Sequence, residues 1–370
     1  MDVADFDRLL RQLSDLDGSD LHVKAGAPPR MRIAGGLRTV EGEAMFSAQE
    51  TRQIAEAIMP EPIRDIFEAR HEADFAYSVP GIGRFRINAY FQRSSVALAV
   101  RRVRSTPATA SELGLPPVVH TLAEEMRGLV LVTGPTGSGK TTTLAAMIDH
   151  INQMRSCHIV TIEDPIEVLH KDRLSAIDQR EVGFDTDSFG SAMRVVLRQD
   201  PDVILVGEMR DQETVEAALS AAETGHLVFS TLHTINATET VNRIVDFFPP
   251  HQQNQVRITL AGSLKGIVCQ RLIPTASGEG RVPAVEVLVV NGRVQQAIID
   301  PLITGDIESI VADGAYYGMI TFDQSLAELL GQGAITLADA MSTATNPHDL
   351  KVLLERKGIL HTGSFASQLS

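Results

Sequence analysis

The stretch Gly134-Pro135-Thr136-Gly137-Ser138-Gly139-Lys140-Thr141 constrains this chain more than any other. It satisfies G-x-x-x-x-G-K-[ST] at every fixed position, and its flanks agree with it. Residues 128–133 are apolar and read as a short buried strand; Thr142 opens a stretch to residue 149 that reads as a helix. A strand that turns through glycines straight into a helix brings several backbone N–H groups together at a helix N-terminus, where phosphate oxygens bind. Lys140 is expected to reach the β and γ phosphates of a nucleotide, and the Thr141 hydroxyl to ligate Mg²⁺. ATP and Mg²⁺ are therefore the expected ligands.

Such a loop needs a parallel sheet around it, and the second half of the chain supplies the pattern. Strands are expected at 129–133, 158–162, 203–206, 227–231 and 284–289, with helices at 141–154, 188–198, 211–224, 236–246 and 251–266. The first hundred residues read differently. Helices are expected at 2–16, 48–59 and 63–69. Short strands at 20–23 and 30–33 and three alternating stretches at 73–79, 84–92 and 96–104 suggest an antiparallel meander. The expected organisation is a small α+β domain at 1–105 and a Ser/Thr/Pro/Ala-rich linker at 106–118. An α/β core at 119–300 and a helical region at 301–358 follow, and the polar residues 359–370 are expected to be disordered.

Charge and cysteine usage narrow the function classes. With 47 acidic against 33 basic side chains the net charge is −14, which argues against a broad electrostatic grip on nucleic acid. Cys157 and Cys269 lie in apolar contexts; two cysteines cannot build a four-thiolate zinc site, and no zinc is expected. No apolar run reaches the roughly 18 residues needed to span a bilayer, and the acidic N-terminus has no signal-peptide core. The expected location is cytoplasmic.

Several candidates accompany the loop. Residues 204–208 form an apolar strand ending in Glu208, with Asp211 three residues on, and an acid in that position holds Mg²⁺ directly or through water. Glu163, Asp164 and Glu167 follow another strand, and any one of them could orient and deprotonate an attacking water. His226 and His233 bracket a third strand; a spacing of seven does not make a metal pair, and each reads equally as a phosphate sensor or a structural side chain. Arg194 and Arg198, four apart on one expected helix face, and Arg86, Arg93, Arg101 and Arg102 on the first domain's strands are candidate sources of positive charge for a phosphoryl transition state.

Taken in order, GPTGSGKTTTLAAMI, TIEDPIE, LRQDPDVILVGEMRD and TGHLVFSTLHT resemble the Walker A, Asp box, Walker B and His box of the bacterial type II/IV secretion ATPases. SDLHVKAGAPPRMRIAGGLR, GRFRINAYFQR, VGFDTDSF, RIVDFFP and MITFDQSLAELL resemble the type IV pilus retraction ATPases, the PilT family of twitching motility. The resemblance covers residues 1 to about 355. It implies a PAS-like N-terminal domain joined to a RecA-like ATPase domain, assembled as a homo-hexamer. Such a ring would work on an inner-membrane pilus platform protein, peripheral to the cytoplasmic face of that membrane. It further implies Glu163 as general base, Glu208 as the Walker B acid, and His226 and His233 as His-box residues. Arg86 and Arg101 would be nucleotide-reaching arginines, with Arg194 and Arg198 as a second basic pair. The residues 306–313, aligned with a basic helix of that family, lack its arginines. A four-cysteine zinc insert typical of the assembly ATPases is absent from the sequence.

Overall fold

A computed structural model describes residues 3–104 and 107–360. Most of the expected tail, 361–370, and residue 106 of the expected linker lie outside the described residues. Two compact units divide the chain: residues 1–106 with Glu167–Leu169, and residues 107–166 with 170–370.

The first unit is an antiparallel sheet with helices, the PAS-like α+β arrangement expected. Its strands are β1 (Asp20–Lys24), β2 (Arg30–Ile33), β3 (Gly36–Thr39), β4 (Glu72–Val79), β5 (Gly83–Gln92) and β6 (Ser95–Arg102), in the order β3-β2-β1-β6-β5-β4. Helices α1 (Val3–Asp15), α2 (Ala48–Ile58) and α3 (Glu61–Arg70) belong to the same unit. Along β5, Phe85, Ile87 and Ala89 are buried while their neighbours are half-exposed, the two-residue period of a sheet with one covered face. The apolar stripe Phe6, Leu9, Leu10, Leu13 of α1 joins the same core. The start of α2 is fixed by a capping box, in which the Ser47 hydroxyl accepts from Glu50 N–H and the Glu50 carboxylate from Ser47 N–H. The wholly exposed β3 was not among the expected strands.

The second unit is the parallel-sheet ATPase fold. Its strands are β7 (Gly128–Thr133), β8 (His158–Glu163), β9 (Ala176–Glu181), β10 (Val203–Val206), β11 (Leu227–Leu232), β12 (Leu264–Pro274) and β13 (Arg281–Val289). They lie in the order β13-β12-β7-β11-β10-β8-β9, parallel throughout except for the β12–β13 pair. Every residue of β7, β10 and β11 is buried, as a sheet covered on both faces requires. The helices up to the end of the sheet are α4 (Val118–Ala123), α5 (Lys140–Met154), α6 (Phe189–Val196), α7 (Gln212–Glu223), α8 (Ala237–Asp246) and α9 (Pro250–Ser263). The C-terminal region adds α10 (Gly292–Ile299), α11 (Ile307–Ala312), α12 (Phe322–Gly331), α13 (Leu337–Thr343) and α14 (Pro347–Arg356).

Two expectations need correction here. The helix expected at 251–266 ends at Ser263, and β12 begins at the next residue with no intervening loop. The helix expected at 188–198 ends at Val196, so Arg198 lies beyond it and does not share a helix face with Arg194. Within the stretch expected as linker, Ala110, Leu115 and Val118 are buried in the core around β7.

Candidate functional site: a phosphate loop and the strand ends beside it

Strand β7 delivers the chain to the loop at its C-terminal end, and Gly139 caps the following helix α5 with a left-handed φ of 95°. Glycine is required there twice over. A Cβ at Gly139 would lie 2.7 Å from Gln270 Nε2, and one at Gly134, φ 142°, would lie 2.3 Å from the Gln270 carbonyl oxygen. The unforeseen strand β12 thus forms the wall against which the loop is folded. Gln270 also accepts a buried hydrogen bond of 2.7 Å from the Thr143 hydroxyl, tying the first turn of α5 to that wall. Pro135, Thr136 and Gly137 are exposed at the loop's tip, and Lys140 folds back so that Nζ donates to the carbonyls of Gly134 at 2.8 Å and Pro135 at 3.2 Å. Ser138 is buried, yet its hydroxyl has no hydrogen-bond partner among the described residues. A buried donor left open inside a loop of convergent backbone N–H groups fits a phosphate.

The other candidates sit at the ends of neighbouring strands. Because β7, β11, β10 and β8 are adjacent and parallel, the residues that leave them emerge along one edge of the sheet. Glu163 closes β8. It is buried, and its Oε1 accepts from the Thr161 hydroxyl at 2.7 Å and from Gln179 Nε2 of β9 at 3.1 Å. Glu208 follows β10 by two residues. Its Oε1 lies 3.2 Å from His233 Nε2 and its Oε2 3.0 Å from Arg210 Nε. The approach of these side chains is set by backbone: the Thr231 hydroxyl donates to the Gly207 carbonyl at 2.7 Å, and Met209 N–H donates to the Thr231 carbonyl. Arg210 reaches on to Asp164, 3.5 Å away, and so links the two acidic strand ends. Asp211 accepts from Thr214 N–H as the N-cap of α7.

His226 stands elsewhere. It precedes β11 while His233 follows it, so the six-residue strand separates them along its whole length. The His226 ring nitrogen Nδ1 faces the Ala221 carbonyl at 3.0 Å, at the opposite edge of the sheet from His233. Arg194 is ion-paired to Glu213 of α7, and Arg198 is exposed past the end of α6. Arg86 and Arg101 belong to the first unit, where the β5–β6 register sets them opposite one another. Three contributors were missed from sequence: Arg210, in a turn without periodicity, Gln179, on a polar edge strand, and Gln270, a polar residue inside an apolar strand.

Among the described residues no group of three His, Cys, Asp or Glu side chains forms a metal cage. A phosphate-loop cation needs none, being held by one hydroxyl, one carboxylate and the phosphates themselves. Thr141 in the first turn of α5 and Glu208, two residues beyond β10, are the residues that fit this role.

A parallel sheet with a phosphate loop on one strand and acids on the strands beside it defines the class of P-loop nucleotide-binding proteins. Residues 8–307 match the type II/IV secretion system protein family, and the chain belongs to it. It is 42% identical over 351 residues to the type IV pilus ATPase PilU of Pseudomonas aeruginosa, covering 95% of this chain and 91% of that one. It is 42% identical over 345 residues to the type IV pilus retractation ATPase PilT of the same organism, covering 93% and 99%. A crystal structure of the pilus retraction motor PilT with bound ADP superposes with a TM-score of 0.85 at 46% identity, covering 93% of this chain and 98% of that one.

Proposed function

We propose that this chain is the subunit of an ATP-hydrolysing motor that powers type IV pilus retraction. The observation that carries the reading is the likeness to PilT, which extends over both units and nearly the whole of each chain. The open Ser138 hydroxyl and the loop N–H groups would bind the β and γ phosphates, with Lys140 swinging from its loop carbonyls onto them. Thr141 and Glu208 would hold Mg²⁺, which spreads the charge of the phosphates when bound. Glu163, fixed by Thr161 and Gln179, would orient the attacking water and take its proton. His233 and Arg210 hold Glu208 from either side and would register the loss of the γ-phosphate through it. Arg86 and Arg101 would add positive charge to the phosphates.

Assembly as a homo-hexamer, a pilus platform protein as partner and a place at the cytoplasmic face of the inner membrane complete the proposal. No helix among the described residues is long and apolar enough to cross a membrane. Deleting the gene tests the direction of force. Retraction predicts cells with more and longer pili that cannot twitch. A second reading, a motor for pilus assembly or type II secretion, draws on α11, which is acidic where the retraction family carries a basic helix. Loss of pili on deletion would favour it.

A further inference from the structure

Four charged residues stand in one row across the sheet of the first unit. The register sets Arg32 of β2 opposite Asp20 of β1, Asp20 opposite Arg101 of β6, and Arg101 opposite Arg86 of β5. Directly opposed residues share a face, and like charges so placed repel. Asp20 is the one anion of this row. It is 8% exposed, while the Arg101 side chain is 70% exposed. Asp20 Oδ1 accepts from Arg101 Nε at 2.9 Å; its Oδ2 lies 3.6 Å from Arg32 Nε and accepts from the Ser19 hydroxyl at 2.8 Å. Arg32 is held further by donating from a terminal nitrogen to the Gly35 carbonyl at 2.9 Å. Arg101 has no such second tether. Its terminal amino groups have no partner among the described residues, and Arg86 has no ion pair there.

A guanidinium gripped at Nε alone is fixed in orientation and keeps both terminal amino groups for a two-pronged bond to an oxyanion. We propose that Asp20 is a positioning residue for Arg101, holding that guanidinium by its Nε so that its two terminal amino groups, beside Arg86, meet phosphate oxygens. The proposal rests on the reading of Arg101 as a phosphate-reaching arginine. Burial by itself would raise the Asp20 carboxyl, but the Ser19 hydroxyl, Arg101 and His22 outweigh it and hold it below the ordinary range.

Phosphate release by the full-length protein, measured against ATP concentration, tests this in four variants alongside melting temperatures. Arg101→Ala loses most turnover. Asp20→Asn lowers kcat by about ten- to a hundredfold with KM within about twofold, because misplacing one guanidinium weakens a contact made in the transition state. Asp20→Glu keeps the charge and recovers part of the loss. Asp20→Asn adds nothing in the Arg101→Ala background, since it acts through that side chain. Losses that multiply in the double variant, or that only track a lowered melting temperature, overturn the positioning role. So does full turnover of Asp20→Asn beside an inactive Arg101→Ala. Full turnover of Arg101→Ala instead overturns the underlying reading of that arginine.

Discussion

The two units put sheets to opposite uses. In the second, the sheet is covered on both faces, and the candidate site residues stand at the strand ends: Glu163 closing β8, Glu208 after β10, His233 after β11 and the phosphate loop after β7. In the first, one face of the sheet is open, and its charged residues stand across the strands, Arg32, Asp20, Arg101 and Arg86 abreast. Two of the buried carboxylates, one in each sheet, are displaced in opposite directions. Asp20 is met by two guanidiniums and a hydroxyl and is held low. Glu286 of β13 is desolvated among other acids and is pushed up to about 7. Burial raises both carboxyls; at Asp20 the hydroxyl and guanidinium that meet it outweigh burial, and at Glu286 the Ala237 N–H and Arg271 do not.

The strand-end half of this contrast breaks most visibly at Lys140. Its Nζ is held by two loop carbonyls, ready for phosphate. Lys140→Ala is expected to lose about 10³-fold or more in turnover, together with nucleotide binding, because one fixed cation at the transferring phosphate is removed. Fluorescent ATP binding and phosphate release check both. Normal hydrolysis by this variant would sink the assignment of the site.

Glu163→Gln sharpens the same half. Thr161 and Gln179 both donate to its Oε1, so an amide retains the shape while losing the proton acceptor. Turnover is expected to fall by about 10²-fold or more with ATP affinity nearly unchanged. An affinity loss as large as the rate loss would place Glu163 in binding rather than in proton transfer.

How far these features could be read from sequence follows from how local each one is. The phosphate loop is legible because its glycines, lysine and threonine have fixed spacing between an apolar strand and a helix. Glu163 and Glu208 are legible for the same reason: each ends an apolar run, and parallel strands expose their C-terminal ends. Pattern fails where elements abut or lie at an edge. β12 follows α9 without a turn residue, so residues 264–266 read as more helix, and the rest of the strand, Gln270 included, was not expected. β9, Ala-Ile-Asp-Gln-Arg-Glu, is a polar edge strand with no strong signal, although it supplies Gln179 to Glu163. Spacing alone does not tell the two histidines of one motif apart; the strand between them puts His233 beside Glu208 and His226 at the far edge. The row through Asp20 depends on register over 81 residues of sequence separation, which no local pattern contains.

The smallest effect tests the contrast between the two buried acids. Glu286 faces the Ala237 N–H at the start of α8, which its Oε1 accepts at 2.8 Å, and the side chains of Glu308, Arg271 and Asp323. The buried Cys269 lies in the same environment and is itself raised by burial and by Glu286. Burial is the main cause of the upward displacement, and Glu308 and Asp323 add to it against the opposing pull of Ala237 N–H and Arg271. A carboxyl moved from 4.5 to about 7 binds its proton more tightly folded than unfolded. Its contribution is therefore fully present below the unfolded value and is lost as pH rises through the folded one. Asp20, displaced the other way, contributes above its unfolded value and loses that contribution as pH falls. Glu286→Gln keeps an acceptor for Ala237 and cannot ionise. Relative to the wild type it should match at pH 4 and gain on the order of 1–3 kcal/mol by pH 8, a few degrees in melting temperature. Taking the difference between the two proteins at each pH cancels the other titrating groups. A difference that stays constant from pH 4 to 8 would show that Glu286 is neutralised by its neighbours as fully as Asp20 is, and the contrast between the two sheets would not extend to their buried charges.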